Sequence, residues 1–164
     1  MRISRRMGIY ASGGGPLWLF DGDNGGDVTK VTGGWTITRD PSKYYTCDAS
    51  VGANYIHLSH KRNDSNSNSV SVTTVNLIDF SKINTLYIGS YRNVTHDNAR
   101  PNVYLLNESG NSVAVVTLSK SKDVAIASID CSKITVPCRV KILVGGAKNV
   151  ATQISNYVIQ IWGE

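Results

Sequence analysis

Short segments with the alternating pattern of β-strands recur along the chain, and their spacing constrains the fold more than any other feature. About ten such segments follow one another at intervals of about 8 to 14 residues, with turn-forming residues between them. No stretch repeats its apolar residues at the period of an amphipathic helix. The pattern predicts an all-β protein, with the strands arranged as a two-sheet antiparallel sandwich.

The length of 164 residues suits one domain that buries a substantial core. Residues 1 to 16 carry Arg2, Arg5 and Arg6 and end in the sequence SGGGP, which is typical of an arm and flexible joint. We therefore predict a basic N-terminal arm over residues 1–16 and a β-sandwich domain over residues 17–164.

The first part of this domain, Leu17 to Trp35, reads as two strands around a tight turn at Asn24-Gly25-Gly26. Val28 to Thr32 has the β-branched pattern of the second strand. Gly33 and Gly34 then interrupt that strand before Trp35, which we interpret as a structural residue of the sandwich. We expect all three tryptophans to pack in the core or at a sheet edge; they are Trp18, Trp35 and Trp162.

Four later segments give definite predictions. Val51 to Ser59 is expected to be a strand with Tyr55, His57 and Ser59 on one face. Two polar stretches are predicted to be loops, Lys61 to Ser69 and Tyr91 to Pro101. Asn102 to Leu106 and Ser112 to Leu118 flank a turn-rich connection and predict a hairpin.

One short pattern, I-D-x-S-K-I, occurs twice. It spans Ile78 to Ile83 and returns 51 residues later as Ile129 to Ile134. Aspartate and serine two residues apart cap turns, because their side-chain oxygens accept backbone N–H groups. We therefore predict two equivalent crossovers between the sheets.

These features together resemble a known family. The aromatic first strand, the polar turn, the sequence VTGGW and the paired ID-x-S segments are similar to the jelly-roll β-sandwich domains of bacteriophage and prophage tail, baseplate and fibre proteins. Such domains are similar in fold to carbohydrate-binding modules. The resemblance covers about residues 17–164 and implies a jelly-roll arrangement of the sheets.

The resemblance also implies a function. A domain of this kind would be a non-enzymatic virion structural or host-adhesion protein that contacts host surface glycans, with other virion or tail proteins as partners. It would be assembled in the host cytoplasm and incorporated into the virion, where a homo-oligomer is possible. The alternative is a carbohydrate-binding module that targets a partner enzyme to polysaccharide.

A sugar site needs a flat aromatic side chain for stacking and polar groups beside it for hydrogen bonds to hydroxyls. The segment after Tyr91 collects an aromatic residue, two arginines and several amides on one predicted loop, and Tyr55 with His57 offers a second aromatic pair. Tyr44, Tyr45 and Tyr87 are weaker candidates. The predicted ligand-binding residues are Tyr91, Arg92, Asn93, His96, Asp97, Asn98, Arg100, Tyr55 and His57.

Asp21 and Asp23 are the weak candidates for a metal site. They lie in the sequence DGDNGGD, whose oxygen ligands could converge on a structural calcium ion. Gly25 and Thr32 stand where an EF-hand needs oxygen ligands, so a plain polar turn is the preferred interpretation. We expect no cofactor.

Other function classes have little support in the sequence. The three histidines form no HExxH motif, no GxSxG motif is present, and no motif pairs two carboxylates for glycoside hydrolysis. The net charge of +5 depends on the arginines of the arm, which argues against nucleic-acid binding. No signal peptide or membrane-inserting segment is evident. Cys47, Cys131 and Cys138 are expected to be reduced, with a Cys131–Cys138 pair left open.

Overall fold

The computed structural model describes residues 15–40, 47–62, 68–96, 101–146 and 152–164. These residues form twelve β-strands and one single-turn helix, arranged as two antiparallel sheets around a shared core. The predicted all-β, two-sheet antiparallel jelly-roll sandwich is confirmed. Residues 1–14 of the predicted arm lie outside the described residues. Among the described residues, no helix has the length and apolar character needed to cross a membrane.

Each sheet is assembled from strands that are distant in the sequence. Sheet A contains β1 (Leu17–Asp21), β2 (Gly26–Asp27), β4 (Cys47–Val51), β5 (Ile56–Arg62), β7 (Thr85–His96), β10 (Ala125–Asp130) and β12 (Thr152–Gly163). Sheet B has the order β3 (Trp35–Asp40), β6 (Asn68–Thr74), β11 (Arg139–Gly146), β8 (Asn102–Leu106) and β9 (Ser112–Thr117). Helix α1 (Thr29–Thr32) connects β2 to β3.

Strand β12 is the centre of sheet A. It pairs with β7 along one side, and on its other side with β5 and β1 placed end to end. The junction of β1 and β5 is tight: the Gly22 N–H donates to the Ile159 carbonyl at 2.8 Å, and a Cβ on Gly22 would lie 2.1 Å from the Asn54 carbonyl oxygen. The register between β12 and β7 shifts at this level, between Val158 and Gln160.

The core lies between the two sheets. It is formed by the buried side chains that alternate along the strands of both sheets. In β1 the alternation is interrupted by a register shift between Trp18 and Phe20, so Leu19 and Phe20 are both completely buried. A regular strand would instead place Leu19 and Phe20 on opposite faces. The three cysteines are buried free thiols.

The prediction of a strand from Val28 to Thr32 is wrong. The returning strand is only Gly26–Asp27, and Thr29–Thr32 form α1, which ends at Gly33 with a φ of 70°. The Asp27 carboxylate holds this turn, because it accepts hydrogen bonds from the hydroxyls of Thr29 and Thr32 at 2.8 and 2.6 Å. Local side-chain hydrogen bonds therefore override the strand pattern.

The two predicted polar loops are shorter than expected. Strand β5 continues to Arg62 and β6 begins at Asn68, so only residues 63–67 of the first loop separate them, and these lie outside the described residues. In the second, β7 continues through Tyr91 to His96 because β12 offers a partner strand along this length. Polar residues can therefore stay in the sheet where a neighbouring strand forms hydrogen bonds with their backbone N–H and C=O groups.

The strand predicted from Val51 to Ser59 is divided. Its first residue ends β4 and its last part belongs to β5, with a turn at residues 52–55 between them. The predicted face is nevertheless confirmed, because Ile56 and Leu58 are completely buried while His57 is only half-buried. The predicted hairpin is also confirmed, with β8 and β9 paired around Asn107 to Asn111.

Both ID-x-S segments are crossovers between the sheets, as predicted. The first leads from β6 in sheet B to β7 in sheet A, and the second from β10 in sheet A to β11 in sheet B. Asp79 accepts the Ser81 N–H and Asp130 accepts the Ser132 N–H, each at 2.9 Å. The residue between them points into the core in both cases, since Phe80 and Cys131 are each 1% exposed.

Candidate functional site

Two rows of aromatic side chains lie on the outer face of sheet A. The first, the histidine row, consists of His57 on β5, Tyr157 on β12 and Tyr91 on β7, with ring centroids 4.7 and 4.8 Å apart. Tyr55 approaches Tyr157 edge-on, at 5.1 Å between ring centroids. This row continues across three neighbouring strands of the sheet.

The second row, the tryptophan row, consists of Trp18 on β1, Trp162 on β12 and Tyr87 on β7. The Trp18–Trp162 centroids are 5.6 Å apart and the Trp162–Tyr87 centroids 5.2 Å, with planes inclined by 30° and 24°. We call the two rows together the aromatic platform.

Strand register places these rings. His57, Tyr157 and Tyr91 are directly opposite one another across β5, β12 and β7, and Trp18, Trp162 and Tyr87 are opposite one another across β1, β12 and β7. Side chains of successive strand residues point to opposite faces, and the residues alternating with the rings fill the core. Those completely buried neighbours are Ile56, Leu58, Leu86, Ile88, Val158 and Ile161. This buried layer is apolar beneath most of the rings, and beneath Tyr91 and Tyr157 it also contains the buried polar residues Ser90, Arg92 and Asn156.

The ring geometry determines what the histidine row exposes. The planes of Tyr91 and Tyr157 differ by 11° and those of His57 and Tyr157 by 19°. Two rings lying flat side by side would overlap at a spacing that equals the distance between strands, so the rings are tilted into an offset stack. Neighbouring rings therefore turn part of their faces towards one another, and the three half-buried rings form a continuous aromatic ridge.

The two rows are separated by a part of the outer face that has a glycine on β7 in place of a ring. Tyr87 and Tyr91 are four residues apart on β7, which corresponds to about 13 Å along the strand. Gly89 lies midway between them and is paired with Gln160 on one side and Ile126 on the other. Ile126 is 52% exposed, which extends the apolar surface to the edge strand β10.

Charged groups lie at both rows of the platform: Arg39 and Asp48 form a pair at the β4 side, and Glu164 accepts a hydrogen bond from the Trp162 indole N–H at 3.2 Å. Arg39 donates a hydrogen bond to the Asp48 carboxylate, and this bond lowers the pKa of Asp48. Burial lowers the pKa of His57, while the charge of Asp48 acts in the opposite direction. Burial also raises the pKa of Tyr91. Both directions favour the uncharged forms of His57 and Tyr91 at neutral pH.

The structure brings together part of the predicted sugar site. Tyr55, His57 and Tyr91 meet in and beside the histidine row. Arg92, however, faces the interior and is 1% exposed, because it follows Tyr91 in a strand and not in a loop. Asn93 is exposed on β7, and His96 is the last residue of that strand. The remaining predicted residues lie outside the described residues; they are Asp97, Asn98 and Arg100, together with the weaker candidates Tyr44 and Tyr45.

Sequence reasoning missed three of the platform residues. Tyr157 received no role. Trp162 is half-buried on the outer face of the central strand β12, which differs from the expected packing in the core or at a sheet edge. Trp18 is half-buried at a point where β1 pairs with β12 but not with β2, so its expected place at a sheet edge agrees with the described strands. The spacing of Tyr87 and Tyr91 was a usable signal, since residues four apart share a strand face. The face on which Trp18 lies could not be predicted by alternation, because the register of β1 shifts between Trp18 and Phe20.

Of the two candidate metal ligands, Asp21 forms hydrogen bonds within its own turn. The Asp21 carboxylate accepts the Asp23 N–H at 3.2 Å and the Asn24 side-chain amide at 2.5 Å, while the Asp23 side chain is exposed. No group of three or more histidine, cysteine, aspartate or glutamate side chains that could hold a metal ion occurs within the described ranges. These contacts account for Asp21 as a turn residue.

Comparison with known proteins identifies a fold class. No protein-family profile and no curated protein sequence matches the chain. Among solved structures, it is similar to a variant of a family 29 carbohydrate-binding module, with a TM-score of 0.55 and 12% identity over 92% of both chains. A related variant, complexed with mannohexaose, matches with a TM-score of 0.54 over 91% of this chain and 90% of that one.

A third similar structure is the glycoside hydrolase domain of Endo-D from Streptococcus pneumoniae R6. The TM-score is 0.57 at 11% identity, over 79% of this chain and 21% of the hydrolase chain. At such identities the similarity shows the fold alone: the chain has the β-sandwich fold of carbohydrate-binding modules. The expected likeness to carbohydrate-binding modules is therefore confirmed, whereas nothing in these comparisons supports a bacteriophage origin.

Proposed function

We propose that this protein is a non-enzymatic glycan-binding domain and that the aromatic platform is its binding surface. The observation that carries the proposal is the pair of aromatic rows on the outer face of sheet A. A β-sandwich normally covers a solvent-facing sheet surface with polar residues, so half-buried rings in register on that surface indicate a ligand site.

Sugar rings suit this surface chemically. A pyranose has an apolar C–H face that packs on aromatic rings, and hydroxyl groups at its rim that need hydrogen-bond partners. Ser59 and Asn93 lie on the outer face beside the histidine row and can supply such partners. The similarity to a module complexed with mannohexaose supports this ligand class.

The platform also indicates the length of the ligand. Its two rows are separated by about 13 Å along β7, which is more than one sugar ring can span. A glycan that contacts both rows must therefore be an oligosaccharide or polysaccharide. We propose binding within a glycan chain instead of recognition of a single terminal sugar.

Isothermal titration with mannohexaose and cellulohexaose tests the proposal. Tyr157→Ala and Trp162→Ala each remove the central ring of one row, and each is expected to weaken binding by about tenfold or more, since a stacked ring contributes about 1.5 kcal/mol. Tyr104→Ala is the matched control, because Tyr104 is a half-buried tyrosine on the outer face of sheet B.

Two results would contradict the proposal. The first is wild-type protein that binds neither hexasaccharide nor any member of a glycan array. The second is binding that survives both platform substitutions, or that is lost equally in the Tyr104→Ala control. Circular dichroism of each variant distinguishes loss of the site from loss of the fold.

The biological setting admits two finer proposals. The match to one-fifth of a larger hydrolase chain supports a module that accompanies an enzyme. The virion host-adhesion role rests on the residue pattern alone. Light scattering after size exclusion tests them: a monomer that binds polysaccharide favours the module, and a stable trimer that binds no glycan favours the virion structural role.

A further inference from the structure

His57 is the one ionisable side chain of the platform whose charge changes near neutral pH. Its ring stacks on Tyr157 with centroids 4.7 Å apart, and Tyr55 meets it edge-on at 6.5 Å. The Nε2 atom is buried and has no hydrogen-bond partner in the part of the chain that the structure describes. His57 therefore serves the row as a flat, neutral ring.

The surroundings of His57 favour that neutral form. On β12 it faces the ring of Tyr157, and on β4 the residue directly opposite is Ser50. The nearby acid, Asp48, already accepts a hydrogen bond from Arg39. A proton on Nε2 would thus create a buried cationic N–H without an acceptor, which is costly in an apolar environment.

We propose that protonation of His57 moves its ring out of the stack on Tyr157 and thereby weakens glycan binding, so that the platform binds more tightly at neutral than at acidic pH. This inference rests on the proposed function. The same geometry assigns His57 a direct part in ligand binding, since its ring ends the histidine row beside β4. Acidification would shorten the ridge at that end and leave the tryptophan row intact.

The test measures affinity for mannohexaose or cellulohexaose at about pH 5 and about pH 7.5, on either side of the histidine range. Wild-type protein is expected to bind about tenfold more weakly at the lower pH, because the free protein takes up a proton on His57 that the stacked, ligand-bound state excludes. His57→Phe keeps a flat ring in the stack and removes the charge. It should bind with similar affinity at both pH values.

An NMR titration of the free protein supplies a readout that does not depend on binding. His57 should titrate below its ordinary value of 6.5, and its titration should shift the ring resonances of Tyr157 but not those of Trp162. Titration at or above that value, or a pH dependence of affinity retained in His57→Phe, overturns the proposal. Absence of binding at both pH values overturns the proposed function and the binding role of His57 together, whereas equal wild-type affinity at both pH values overturns only the pH response.

Discussion

At the scale of single residues, Asp27 holds together the segment from β2 through α1 to the start of β3. Its carboxylate accepts the indole N–H of Trp35 at 2.8 Å, in addition to the hydroxyls of Thr29 and Thr32. Thr32 is completely buried and Trp35 packs against the core. One acidic side chain thus fixes both the helical turn and the entry of β3, which supports the structural interpretation of Trp35.

Replacing Asp27 by alanine is expected to lower the free energy of unfolding by about 2 to 3 kcal/mol, because charge-assisted hydrogen bonds are lost and buried donors are left without an acceptor. Denaturant unfolding followed by tryptophan fluorescence measures the change. Asp23→Ala is the matched control, since the Asp23 side chain is exposed in the same turn, and it should change stability by less than about 0.5 kcal/mol. Equal losses in both variants would contradict the assigned role of Asp27.

At the scale of elements, the two ID-x-S crossovers are stabilised by aspartates that must be ionised. The Asp79 and Asp130 carboxylates accept hydrogen bonds from Ser81 and Ser132, and these bonds lower the pKa of both groups below the ordinary value of 3.8. A lowered pKa in the folded state means that the unfolded chain binds protons first as pH falls. The stabilisation is therefore complete above about pH 4 and is lost as pH falls through the folded-state pKa values.

The double variant Asp79→Asn and Asp130→Asn should flatten this acid dependence, because an asparagine oxygen still accepts the serine N–H but does not titrate. Thermal unfolding measured between about pH 2 and pH 5 should show a smaller decrease for the double variant than for wild-type protein. Asp123→Asn is the matched control, since it removes one exposed carboxylate that lies in neither crossover. An unchanged slope in the double variant would show that the crossovers do not depend on ionised aspartates.

The elements also show which features local sequence determines. The crossovers and the β8–β9 hairpin are encoded within a few residues, by Asp–Ser pairs or by a turn-rich connection, and both were predictable. The length of β7 was not, because Tyr91 and Arg92 stay in the strand through pairing with Tyr157 and Asn156, far along the chain. The platform shares this dependence: each row joins residues from three separate strands, so the sequence identified individual rings and not their assembly.

At the scale of the whole molecule, β12 organises both the fold and the platform. It contributes the central ring of each row and pairs with three strands of sheet A. The two rows stay in register only if β1 and β5 meet correctly beside it, which requires the close approach of Gly22 to Asn54 and Ile159. The binding surface is thus a property of this junction as much as of the rings.

A single methyl group at Gly22 tests that dependence. The Cβ of Gly22→Ala would lie 2.1 Å from the Asn54 carbonyl oxygen and 2.8 Å from that of Ile159, and neither backbone atom can move without separating β1 or β5 from β12. We expect a loss of about 3 kcal/mol in the free energy of unfolding. Gly52→Ala is the matched control, because its Cβ would meet only the Tyr55 carbonyl at 3.5 Å, an ordinary contact.

Variants that remain folded should be compared in their affinity for mannohexaose: weaker binding by Gly22→Ala but not by Gly52→Ala indicates that the junction aligns the two rows. Equal stability and affinity of the two variants would mean that β12 holds the platform without help from this contact.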